Sequence, residues 1–85
     1  MTLLAILATF FGVVGAIGFY LQAFKVFKRK SSADVSIPSF IIFSLGMFFW
    51  LLYGIELRDS PLLIANTVGL VGGLLVISGS LYYRN

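Results

Sequence analysis

Polar side chains are gathered into short clusters, and between them run three stretches without a single charge, residues 2–24, 35–55 and 60–83. Each is longer than the roughly 20 residues needed to carry a helix across a hydrocarbon core of about 30 Å. The pattern predicts three transmembrane helices, over about residues 2–27, 36–55 and 61–83 of one 1–85 unit, in an all-α membrane protein. A cleaved signal peptide is the alternative for the first run. No basic segment precedes that run, however, and its cations Lys25, Lys28, Arg29 and Lys30 follow it, the reverse of the usual order.

Punctuation between the runs agrees with helices. Ser31, Ser32, Ala33 and Asp34 read as a solvated loop, and Ser36 with Pro38 as the cap and first turn of the second helix. Glu56, Leu57, Arg58, Asp59 and Ser60 form a short charged turn, after which Pro61 opens the third helix.

Composition narrows the function. With 85 residues, 60% hydrophobic side chains and a mean hydropathy of +1.07, the chain lacks the polar surface that a soluble domain of this size requires. It contains neither cysteine nor histidine, so it offers no disulfide framework, no haem or zinc motif and no imidazole for acid–base chemistry. No enzyme activity, cofactor or metal is expected. Six Lys and Arg against three Asp and Glu are too few and too localised for a nucleic-acid surface. They report topology instead. The first connection carries four cations and the C-terminus Arg84, whereas the second connection has only Arg58. Basic segments stay cytoplasmic, which puts the N-terminus and the second turn outside, and the first loop and C-terminus inside.

Small residues recur at helical spacing: Ala8, Gly12 and Ala16, with Gly15 and Gly18 beside them, then Gly69 and Gly73. In lipid such stripes let backbones approach and replace the missing hydrophobic drive between helices. That is their plain reading. Ser44 and Thr67, within the apolar runs, can bond carbonyls of their own helices. Asn66 has more hydrogen-bonding capacity than its helix can satisfy, and it falls on nearly one face with Gly69 and Gly73. Taken singly, Asn66 is an interhelical hydrogen bond and Trp50 an interfacial anchor. Their positions add something: Trp50 lies five residues before the outer turn and Asn66 five after Pro61, so both sit about 7.5 Å inside the same membrane face.

No ionisable residue lies at the centre of any run. Ion-coupled carriers need such a site, so passive movement of a neutral solute is the better reading. Aromatic faces stack on C–H surfaces and amides exchange hydrogen bonds with hydroxyls, which suits a sugar. Three packed helices enclose no lumen. Copies with the same charge bias insert the same way up, so a parallel homodimer of six helices about an axis along the membrane normal is the simplest route. The rivals are a non-transporting subunit that packs through its glycine faces, and a carrier of amino acids or lipophilic cations.

Gln22, the loop leading to Val35 and Ser36, the segment Trp50, Leu51, Leu52, Tyr53, Gly54, and Ile64, Ala65, Asn66 together carry a family resemblance. Over nearly its whole length the chain resembles the SemiSWEETs, bacterial half-size relatives of the SWEET sugar transporters in the MtN3 and PQ-loop group, whose units repeat in parallel about the membrane normal. The resemblance implies uniport of a mono- or disaccharide by alternating access, in a homodimer of the bacterial inner membrane with sugar and lipid as its other partners. It implies that Trp50 and Asn66 line the sugar pocket, that Tyr53 and Asp59 belong to an outer gate with an arginine, and that Phe19 and Phe43 close the inner side. Two positions depart from the family pattern. Leu21 stands where the PQ motif has proline before Gln22, which leaves Gly18 as the local hinge candidate. Arg58 adjoins Asp59 instead of lying two residues ahead of it, and a solvated turn is the competing reading there.

Overall fold

Thr2 starts the first helix because its hydroxyl accepts the N–H of Ala5 at 3.1 Å, one of the donors that a helix leaves unpaired at its beginning. The structure is a computed structural model and describes residues 2–84. Met1 and Asn85, the ends of the expected 1–85 unit, lie outside the described residues. Three helices follow one another: α1 (Leu3–Arg29), α2 (Ile37–Leu57) and α3 (Ser60–Tyr82). Each is long and apolar enough to cross a membrane.

Local chemistry sets their ends. α1 continues past residue 27 because Lys28 and Arg29 complement the negative end of the helix dipole. Lys30 then turns left-handed (φ 52°), and the N–H groups of Lys30 and Ser31 return to the Val26 carbonyl. α2 begins after Ser36, with Pro38 in its first turn. The Ser36 hydroxyl does not cap it, being paired at 2.7 Å with the hydroxyl of Ser39. At the far end, Arg58 is left-handed (φ 53°), its N–H reaches Ile55 O (3.2 Å), and the N–H of Asp59 reaches Gly54 O (2.9 Å). This is the paired closure of a Schellman motif. Asp59 at once becomes the cap of α3, its carboxylate accepting the N–H of Leu62 at 3.2 Å. Two residues therefore end one helix and start the next.

α3 occupies the middle. It packs against both α1 and α2, while no Cα of α1 comes within 8 Å of one in α2 among the described residues. Glycines make the double contact possible. A Cβ on Gly12 would lie 2.7 Å from the Cβ of Ala65, one on Gly72 3.0 Å from Phe19 and Tyr20, and one on Gly79 2.8 Å from the Phe27 ring. These fix α1 to α3. On the other flank, a Cβ on Gly69 would meet Met47 Sδ at 2.6 Å, and one on Gly73 would meet Ser44 Oγ at 2.7 Å. Gly69 and Gly73 thus pack inside the three-helix unit. Gly15, Gly18 and Gly46 are different, with open space where a side chain would project.

Polar contacts reinforce the core sparingly. The Tyr20 hydroxyl donates to the Val68 carbonyl at 2.7 Å, reaching it past the bare flank of Gly72. The Ser32 hydroxyl donates to Tyr83 O at 3.2 Å and ties the first connection to the end of α3. The expected bond of Ser44 to its own helix is not made: its hydroxyl is buried without a partner, pressed on the Gly73 backbone. Thr67 is exposed and also lacks a side-chain bond among the described residues. The back of α3, with Ile64, Val71, Leu74 and Leu75, remains exposed and apolar, a surface suited to lipid.

Gly12→Leu drives a branched side chain into Ala65 and is expected to lower stability to unfolding in detergent by about 1–3 kcal/mol. Adding Ala65→Gly should restore part of the loss, because the two changes share one contact. Strict additivity in that double-mutant cycle would refute this account of the packing.

Candidate functional site

The central position of α3 and the touching aromatic rings of α1 and α2 produce a cleft floored by α3. Ala65, Asn66 and Gly69 form the floor, Gly12, Gly15, Ala16 and Phe19 one wall, and Met47 the other, around about 270 Å³. The floor lies low because Gly69 brings α2 close and Gly12 admits Ala65. Asn66 is half-buried here. Its Nδ2 donates to the Leu62 carbonyl at 2.8 Å, so one donor is satisfied by its own helix. The amide oxygen and second N–H have no partner among the described residues. Binding sites for small molecules span about 300–1,000 Å³. A cleft of about 270 Å³, open along one side, falls just below that range.

Trp50 stands one turn along α2 from Met47. At about 100° per residue, Trp50 projects about 60° to one side of Met47 and Ser44 about 60° to the other. Trp50 therefore belongs to the broad face that carries the cleft, and Ser44 turns toward α3 and the opposite face. The indole is 55% exposed and meets Tyr53 edge-on, ring centroids 5.8 Å apart. With Gly46 and Phe49 these two rings line a shallow cavity of about 330 Å³. This cavity and the Asn66 cleft have no lining residue in common, so within one chain the indole and the amide line separate hollows.

Phe19 and Phe43 come together. Their rings stack with centroids 6.4 Å apart and planes 15° from parallel, and Phe40 packs edge-on against both, at 5.4 Å and 6.0 Å. This aromatic cluster bounds the cleft toward the end of the molecule that carries the Lys30–Ser36 connection. Phe40, Met47, Gly12, Gly15 and Ala65 were not singled out from sequence as site residues. The signal available was helical spacing: Phe43, Met47 and Trp50 fall along one side of α2.

At the opposite end, Asp59 serves as the α3 cap, and Arg58 contributes its backbone to the α2 closure. Among the described residues Arg58 makes no ion pair, and Arg29–Asp34 is the only one. The Asp59 carboxylate is engaged instead by the Leu62 N–H. Gly18 is exposed within α1, which runs unbroken through Gly18 and Leu21. Gln22 is half-buried and has no side-chain hydrogen bond among the described residues. Neither forms part of the cleft.

Comparison with known proteins agrees on one group. A family model described as sugar efflux transporter for intercellular exchange, MtN3, matches residues 2–85. A sugar transporter SemiSWEET of Bradyrhizobium diazoefficiens is 41% identical over 58 residues, covering 66% of this chain and 67% of that protein. The SemiSWEET of Leptospira biflexa is 34% identical over 68 residues, 80% of this chain and 75% of its own. A crystal structure of a bacterial homologue of SWEET transporters superposes with a TM-score of 0.88 at 29% identity, over 96% of this chain and 99% of that one.

Removing the α3 cap with Asp59→Ala should cost about 0.5–2 kcal/mol of stability in detergent, whereas Asp59→Asn, which still accepts the Leu62 N–H, should cost a few tenths. Equal losses in thermal unfolding would show that charge, and not capping, is what Asp59 provides to the fold.

Proposed function

The chain belongs to the MtN3 family of sugar transporters, in its SemiSWEET branch, and from that premise we propose that two parallel copies pass a mono- or disaccharide across the membrane by facilitated, alternating access. The observation that carries this reading is the open cleft holding the half-satisfied amide of Asn66. A second copy related by an axis along the membrane normal turns its own cleft toward the first and converts two half-sites into one enclosed site. Trp50 and Asn66 of both copies then surround the sugar, the indoles against its C–H faces and the amides on its hydroxyls.

The placement of charge supports uniport. All described charged groups belong to the helix ends and connections, so nothing within the spans offers a titratable site to couple a proton or a metal cation. By charge bias, the Arg58–Asp59 turn faces outside and the Lys30–Ser36 connection faces the cytoplasm of a bacterial inner membrane. The Phe19, Phe40 and Phe43 cluster then serves as the inner closure, and Tyr53, Asp59 and Arg58 stand at the outer mouth. The capped two-residue turn makes α2 and α3 a hairpin, so rocking of one three-helix unit against the other is the motion that opens each side in turn.

The rival of a non-transporting subunit packs through its glycine faces on α1 and α3. Gly69, Gly72, Gly73 and Gly79 are covered by α1 and α2 of the same chain, which leaves that rival only the open Gly15 and Gly18 of α1.

Uptake of labelled mono- and disaccharides by proteoliposomes, without any ion gradient, tests the proposal. Trp50→Ala and Asn66→Ala are each expected to cut flux by at least about tenfold, equivalent to about 1.4 kcal/mol, while insertion and dimerisation persist. Full transport in both variants would overturn the site, and absence of sugar flux in the parent protein would overturn the function.

A further inference from the structure

One side of α1 is used by neither the core nor the cleft. Leu21, Phe24, Lys25, Lys28 and Arg29 recur at helical spacing along it and line an open hollow of about 600 Å³. Its character changes along the helix: Leu21 and Phe24 are 58% and 62% exposed on the side of the apolar span, and the three cations follow at the helix end. The Lys28 ammonium does not extend away into water. It folds back over the Phe24 ring, 5.6 Å from the centroid, within range of a cation–π contact. This holds a positive charge at the boundary between apolar and polar surface.

The cations are under-compensated. Arg29 pairs with Asp34 at 3.2 Å, but both side chains are well exposed, so the pair is weak and exchangeable. Among the described residues no carboxylate pairs with Lys25, Lys28 or Lys30. A second copy of the chain is a poor occupant, because its own basic end would repel this one across a low-dielectric contact. An acidic soluble protein could meet the charges but would leave Leu21 and Phe24 uncovered. The side joins an apolar strip to a cationic end, at the depth where a bilayer passes from acyl chains to phosphates.

We propose that this side of α1 is a binding site for one anionic glycerophospholipid, its phosphate held by Lys25, Lys28 and Arg29 and an acyl chain lying along Phe24 and Leu21. Phosphate exchanges for the Asp34 carboxylate at Arg29, and the loop carboxylate is released to water. Each cation near an anionic lipid surface contributes about fivefold in affinity. The site is independent of what the cleft transports.

Native mass spectrometry of the detergent-solubilised protein, titrated with dioleoyl phosphatidylglycerol or dioleoyl phosphatidylcholine, reads the affinities directly. The anionic lipid is expected to bind at least about tenfold more tightly, given about fivefold for each of several cations. The double variant Lys25→Gln/Lys28→Gln should abolish the preference, while Lys30→Gln, outside the hollow, should preserve most of it. Equal affinities for the two lipids would overturn the proposal. So would a Lys30→Gln loss as large as that of the double variant, which would mean diffuse attraction without a site. Displacement of phosphatidylglycerol by millimolar inorganic phosphate would also overturn it, by assigning the cations to a free anion and nothing to the apolar strip.

Discussion

Close approach of backbones at α3 is the constraint on which the rest of the structure depends. In lipid the apolar surfaces of helices gain nothing by leaving the solvent, so helices associate where their atoms can interlock. α3 has to do this on two flanks at once. Gly72 and Gly79 receive the rings of α1, and Gly69 and Gly73 receive the thioether and hydroxyl of α2. The cleft follows as a by-product: with α3 drawn in between its neighbours, α1 and α2 stand as walls, and Asn66 rests on the floor between them. A bulkier central helix would fill that floor.

The same arrangement separates rigid from adjustable parts. Between α1 and α3 the contacts are with short or ring-shaped groups, Ala65, Phe19, Tyr20 and Phe27, together with a hydrogen bond across the helices. Between α2 and α3 they are with the flexible Met47 and with a hydroxyl that has no partner. Methionine tolerates displacement better than any other large apolar side chain. α2, which carries Trp50 and Phe43, therefore sits on the softer of the two contacts.

Three helices were legible from charge-free runs alone, because lipid demands long apolar segments with internally satisfied backbones. Their ends were legible to within a few residues from Pro38, Pro61 and the cation cluster. The order of the helices was not. Hydropathy says that a residue can face lipid but not which neighbour it meets, so Gly69 and Gly73 could be read as a surface for a partner as readily as an internal seam. Asn66 stood out because its amide is costly in hydrocarbon, and the structure does leave part of that amide open to the cleft. The unbonded Ser44 hydroxyl is not readable from sequence, because hydropathy does not show that it lodges against Gly73 of the neighbouring helix. Asp59 is a helix cap, its carboxylate accepting the Leu62 N–H, and the charged turn around it drew attention away from that role.

The Tyr20 phenol and Gly72 make sense only together. The carbonyl of Val68 already accepts the N–H of Gly72 along the helix, and the phenol adds a second donor from the side that the missing Cβ leaves open. A chain that exchanged the glycine for a larger residue would strand the phenol in an apolar interior. Losing the phenol would still leave the Cβ of Phe19 3.0 Å from any side chain placed at the glycine. The tyrosine depends on the glycine, while the glycine is held by the tyrosine ring and by Phe19 together, so a change at either member alone does not release the other.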